Sequence, residues 1–153
     1  MRNWWSEESS ANFVKKATCF IKQYNKYKIN ELNKYLNGQL TQGENMAENG
    51  GIKIAYKAFQ KYKAVEKNAQ QRLPGLPARF TADKIFFASY GMVWCAKYKV
   101  AGLQKYLRDP HPPNFIRVLG TLSNFDEFSK VFECPINSVY NPEKSDSSKC
   151  SLW

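Results

Sequence analysis

The chain has 153 residues, long enough to bury a core. Its hydrophobic content of 43% and aromatic content of 15% exclude a disordered polymer. Twenty-three Lys+Arg against 13 Asp+Glu leave a formal charge of +10, which favours anionic partners: nucleic acid, an anionic membrane or acidic proteins.

The amino-terminal "MRNWWSEESS" lacks the apolar centre of a signal peptide, and no apolar run approaches the ~18 residues that span a bilayer. Taken alone, those features read as cytosolic. Ser6 followed by Glu7 and Glu8 predicts a helix start, a hydroxyl cap with acids at the positive end of the dipole. Phe13, Ala17, Phe20, Tyr24 and Tyr27 then recur at helical spacing, with Val14 and Ile21 widening the stripe. The lysines of "KKATCFIKQYNKYKINELNKY" and "YKAFQKYKAVEK" are scattered, as on the solvated sides of helices. "NKYLNGQLTQ" breaks the pattern near Asn37-Gly38, and a second helix is predicted from near Thr41 to about Lys67.

"LPGLP", residues 73–77, is a clear break. A third helix follows, capped by Thr81 with Asp83 in its first turn, and then a shorter fourth. "PHPPNF" reads as non-helical and "IRVLGTL" as a short extended piece. "NFDEFSKVF" predicts a short helix capped by Asn124, and the polar tail ends in a buriable tryptophan, Trp153. With no repeat and no domain boundary, residues 1–153 read as one mostly helical unit.

Glu44 and Glu48 of "GENMAENGG" share one side of the second helix. That line continues through Gly51, Ala55, Ala58, Phe59 and Tyr62, the predicted apolar side, where Gly51 and Ala55 let another helix approach. Two like charges on a face meant for burial repel and resist losing water, and a dication would relieve both penalties. Glu44 has a second reading, because Thr41-x-x-Glu44 fits a capping box. His111 and Arg117 stand six apart across a loop stiffened by Pro110, Pro112 and Pro113. They are either surface groups or a fixed pair of donors able to hold an oxyanion and a peptide carbonyl.

Cys19, Cys95, Cys134 and Cys150 allow two disulfides in three pairings, and without a C-x-x-C pair they do not suggest a zinc knuckle. His111 is the sole histidine, so a metal site made by this chain alone would be poor in imidazole. The terminal "CSLW" has the outline of a prenylation signal, but serine is not aliphatic and Trp153 is a poor final residue.

"GENMAENGG" resembles the G-E-N-[IM]-A-D-N-G-G signature of the neprilysin family of zinc metalloendopeptidases, which includes the endothelin-converting enzymes. "NWWSEESSANFVKKATCFIKQY", "RLPGLPARFTADKIFFASYGMVWC", "DPHPPNFIRVLGTLSNFDEFSKVFECP" and "NPEKSDSSKCSLW" resemble that family's carboxy-terminal region, in order and across nearly the whole chain. The resemblance implies a mainly α fold, the carboxy-terminal helical part of a thermolysin-like (gluzincin) metallopeptidase catalytic domain. It makes Glu44 the third zinc ligand. Glu48 falls where the family usually has an aspartate that orients a zinc-bound histidine, and is one methylene longer. His111 matches the histidine that stabilises the tetrahedral intermediate. Arg117 matches the arginine that grips the substrate backbone and pairs with the acidic group at 48. Trp94 falls in the wall of the pocket for the residue after the scissile bond, which prefers apolar side chains. Asn114 stands where glycine is common, and asparagine tolerates positive φ; the aromatic is at 115 instead of 116.

The family's other two zinc ligands and its general base come from an H-E-x-x-H helix, a motif absent from these residues. A catalytic zinc takes three protein ligands, so the zinc site is incomplete and the chain by itself is expected to be inert. The implied partners are peptide substrates and the amino-terminal remainder of a peptidase, with no nucleic acid and no membrane span in this chain. The implied location is extracellular or a plasma-membrane ectodomain. The resemblance pairs Cys19 with Cys150, a loop worth ~4–5 kcal/mol in chain-entropy terms. It leaves Cys95 and Cys134 as free thiols or as a pair of their own. Two alternatives stand beside this reading: a truncated, non-catalytic binding or decoy module, and, ranked lower, a basic nucleic-acid-binding protein.

Overall fold

The computed structural model of the protein describes residues 4–66, 68–69, 73–143 and 148–152. Ser6 accepts the Ser9 N–H at 3.1 Å and starts α1, Glu7–Tyr24, with Glu7 and Glu8 in its first turn as predicted. Ala17, Phe20 and Tyr24 are buried, whereas Val14 is 58% exposed and does not widen the stripe. A small hairpin that the sequence reading missed follows, β1 (Lys28–Ile29) against β2 (Lys34–Tyr35) around a 3₁₀ turn, Asn30–Leu32. Asn33 closes the turn in the left-handed region.

The second helix, α2, runs Gly38–Val65 and starts three residues before the predicted Thr41. Its cap is Asn37, which accepts the Leu40 N–H at 3.0 Å, while Asn25 takes the Gly38 N–H at 2.7 Å. A Cβ at 38 would lie 2.4 Å from the Ile21 carbonyl oxygen, so only glycine lets α2 begin against α1. The predicted end near Lys67 lies outside the described residues. Thr41 is already helical and its hydroxyl donates back to the Asn37 carbonyl, which removes the capping-box reading of Glu44.

The predicted apolar line on α2 is also corrected. Burial runs through Thr41, Asn45, Asn49, Ile52 and Tyr56, whereas Gly51, Ala55 and Ala58 are exposed and Tyr62 is 54% exposed. Among the described residues, nothing beyond the helix's own backbone lies within 4 Å of a Cβ placed at Gly51, so no other described helix packs closely there. The buried line carries amides, which a hydropathy pattern assigns to solvent. Their amide groups donate inside the fold, Asn49 to Tyr24 and to the Asn45 carbonyl and Asn45 to Thr41, although the Asn45 Oδ1 has no partner among the described residues.

Thr81 caps α3, Ala82–Val93, and the short α4 spans Val100–Lys105, both as expected. "IRVLGTL" is not extended. It lies within α5, Asn114–Ser123, which buries Ile116, Gly120 and Thr121 at helical spacing. Pro112 and Pro113 lead into α5, where a missing N–H costs nothing. Asn114 is therefore a first-turn residue without positive φ, its N–H bonded to the Tyr98 hydroxyl. The last helix, α6, spans Asp126–Val131 without a side-chain cap. Asn124, the predicted cap, ends α5 instead and turns its amide inward.

Two cores result. Phe20, Tyr24, Ile29, Leu36, Leu103, Ile116 and Cys150 form one, and an aromatic group led by Tyr56, Phe87, Phe125 and Phe128 forms the other. Gly120 belongs to the seam, because a Cβ there would meet the Tyr24 hydroxyl at 2.5 Å. Cys19 and Cys150 are bonded, the pairing the resemblance implied, while Cys95 and Cys134 are free. Trp153 lies outside the described residues.

Candidate active site

One turn of α2 separates Glu44 from Glu48, and α5 faces them with Arg117 in its own first turns. Arg117 Nε donates to Glu48 Oε1 and Nη2 reaches the same oxygen. Arg117 Nη2 also lies 3.8 Å from Glu44 Oε2, and His111 Nε2 lies 3.3 Å from that same atom. Trp94, the C-cap of α3, completes the group: the guanidinium carbon sits 3.8 Å above its ring centroid. Residues 44, 48, 94, 111 and 117, from four separate segments, thus meet at one place.

The site is layered. Glu48 and Arg117 side chains are 9% and 13% exposed, whereas Glu44 and His111 are 38% and 44% exposed. Burial pushes the Glu48 carboxyl above its usual range, opposed by Arg117 and reinforced by Glu44. A guanidinium is therefore the cation that makes Glu48 tolerable inside this chain. Its second oxygen, Oε2, is buried with no hydrogen-bond partner among the described residues.

Sequence reasoning missed Asp109. Its Oδ1 accepts the His111 backbone N–H at 2.8 Å and lies 2.8 Å from the ring Nδ1. The bond from the backbone of His111, then the one from its ring, hold the Asp109 carboxyl below its ordinary range. One carboxylate thus fixes both the loop and the ring, leaving Nε2 aimed at Glu44. The signal was present as an aspartate two residues before the histidine, the spacing of an Asx-turn.

Glu44, partly exposed at the mouth of the group, is the carboxylate that the resemblance assigns to a metal. The ligand count is not met: no three His, Cys, Asp or Glu side chains come together to hold a metal among the described residues. These residues alone do not fit a catalytic zinc.

The sequence profile of peptidase family M13 matches residues 1–148. The chain belongs to peptidase family M13. It is 44% identical over 154 residues to Neprilysin-11 of Caenorhabditis elegans, covering 100% of this chain and 18% of that protein. It is 40% identical over 155 residues to Endothelin-converting enzyme 1 of Rattus norvegicus, covering 100% of this chain and 19% of that protein. Its fold is similar to the Mycobacterium tuberculosis zinc metalloprotease ZMP1 in its open state, with a TM-score of 0.80, 25% identity, and coverage of 99% of this chain and 23% of that one. This M13 chain therefore spans about a fifth of the length of these relatives. Among the described residues, no helix is long and apolar enough to cross a membrane.

Proposed function

We propose that this M13 chain is the carboxy-terminal part of a zinc metalloendopeptidase, one unit over residues 1–153 that completes its active site with residues from outside the chain. The convergence of Glu44, Glu48, Trp94, His111 and Arg117 carries the reading, because motifs far apart in sequence meet in one half-open site. When bound, zinc supplies Lewis acidity and an activated water. Glu44 is its one ligand from this chain, the others and the general base being supplied by an H-E-x-x-H helix.

The roles of the remaining groups follow from where they stand. His111 Nε2 and Arg117 Nη2 approach the same carboxylate oxygen from two sides, so both can serve an anionic oxygen at that mouth. Arg117 is held by Glu48 beneath and Trp94 beside it, which keeps its planar fork fixed for a peptide carbonyl. Glu48 Oε2 is an acceptor ready for a donor from the missing half, such as an imidazole N–H. Trp94 offers an apolar wall, in keeping with peptides cut before an apolar residue. The Cys19–Cys150 bond supports an oxidising location, extracellular or an ectodomain.

The test is to co-express the chain with an upstream M13 half carrying H-E-x-x-H. The pair is expected to retain zinc and hydrolyse peptides, and the same pair with Glu44→Ala to lose both. Equal zinc retention and cleavage by the two pairs would overturn the ligand assignment. A folded pair that neither holds zinc nor cleaves would favour a binding or decoy module.

A further inference from the structure

Away from that site, α2 and the α6 end of the fold enclose an open cleft of about 800 Å³. One wall is a single stripe of α2, Lys53, Lys57 and Lys61, at intervals of four residues. Four residues of helix advance about 6 Å, so the three ammonium groups form a line about 12 Å long. None of the three has a carboxylate within ion-pair distance among the described residues. Lys53 is half-buried and, among the described residues, donates to a neutral group, the Ser151 hydroxyl at 2.8 Å.

The opposite wall carries Asp126 and Glu127, but their charge is already met. Lys149 pairs with Asp126, and Lys130 lies 2.8 Å from Glu127. Tyr56 and Phe125 line the cleft between the walls, an apolar base under a cationic rim. Among the described residues, these three cations stand in a row with no carboxylate at ion-pair distance. Burial, with Lys57 adding like charge, already pulls the Lys53 ammonium below its usual range against the field of Asp126. A bound anion would relieve that cost.

We propose that this cleft binds a sulfated polysaccharide, whose linear array of anions matches the line of Lys53, Lys57 and Lys61. An extended polymer suits an open cleft. The Cys19–Cys150 bond lies at the cleft, since Cys150 lines it, and a disulfide belongs to an oxidising compartment where sulfated polysaccharides are the abundant polyanions. The site is independent of the peptidase reading and uses none of its residues.

Immobilised heparin is the probe, with binding of the chain followed across a salt titration. The chain is expected to bind with an affinity that falls steeply with salt. Lys53→Gln/Lys57→Gln/Lys61→Gln is expected to weaken it roughly tenfold or more and to flatten the salt dependence, since counterion release scales with the cations engaged. Lys15→Gln/Lys22→Gln/Lys97→Gln removes the same charge from exposed positions elsewhere and is expected to change binding less than about twofold, because generic net charge acts only through a screened field. Lys57→Gln/Lys61→Gln spares the half-buried Lys53 and keeps the test valid if the triple variant folds poorly, as circular dichroism would reveal. No binding at low salt, or equal loss in the two triple variants, would overturn the site. Tighter binding of duplex DNA than of heparin, dependent on the same lysines, would overturn the ligand class.

Discussion

Arg117 neutralises Glu48 through one carboxylate oxygen, Oε1, and leaves the other, Oε2, buried and unpartnered. The pair is nearly sealed from solvent, so its members depend on each other. Truncating Arg117 strands a charge, whereas removing both charges does not.

Arg117→Met is therefore expected to destabilise the chain by about 3–5 kcal/mol, the usual cost of breaking a buried pair. Arg117→Lys keeps the charge but loses the fork and the stacking on Trp94, so it should fall between. Adding Glu48→Gln to Arg117→Met should recover much of the loss. Urea unfolding of the parent, Arg117→Met, Glu48→Gln and the double variant, as a double-mutant cycle, measures the coupling. A single-variant cost below about 1 kcal/mol would mean the pair behaves as a surface contact.

The pH dependence follows from the direction of each shift. Burial raises the Glu48 carboxyl, so the folded chain holds that proton more tightly than the unfolded chain. Stability from this group is complete below the unfolded value and is lost as pH rises through the raised folded value. Asp83 behaves in the opposite sense. Burial alone would raise it, but bonds from Lys63, Tyr56 and Gln60 outweigh burial and hold it low. Its contribution is present above the unfolded value and is lost as pH falls through the folded one. Thermal unfolding across the carboxylate range should show Glu48→Gln removing the decline on the rising side and Asp83→Asn removing the loss on the acid side. Unchanged profiles in both variants would contradict the two assignments.

What could be read from sequence depended on how local the cause was. Ser6 and Thr81 cap their helices by bonds to residues three positions on, and both were legible. Asn37 was seen only as a break, because its role as cap depends on Gly38 packing against the Ile21 carbonyl in another helix. The α5 segment carries β-branched residues and a glycine and so reads as strand, yet tertiary packing at Ile116 and Gly120 makes it helical. The carboxylate pair on α2 was legible as a charge problem, but its solution in this chain, Arg117, lies 69 residues away. Motif resemblance linked them where periodicity could not. The buried amides of α2 are invisible to hydropathy, and the side-chain partners of Asn49 come from α1 and the end of α5.

One of those amides, Asn49, meets Gln23 at Asn124, where every hydrogen-bonding position of the side-chain amide is used. The Asn124 Oδ1 accepts Gln23 Nε2 at 2.7 Å and the Cys150 N–H at 2.8 Å. Its Nδ2 donates to Gln23 Oε1 at 2.8 Å and Asn49 Oδ1 at 2.9 Å. Asn124 thereby ties α1, α2 and the disulfide-held tail to the end of α5. Asn124→Asp keeps the shape but cannot donate when ionised, and it presses a charge against two amide oxygens. It is expected to cost about 3 kcal/mol or more at neutral pH, the sum of two unmet buried bonds and a desolvated charge. Protonation removes the charge and restores one donor, so the deficit should shrink as pH falls, opposite to the acid loss carried by Asp83. Urea midpoints for the variant and parent at neutral and acid pH decide it. A cost within about 0.5 kcal/mol at both, as for an ordinary surface change, would show that the network does not hold the tail.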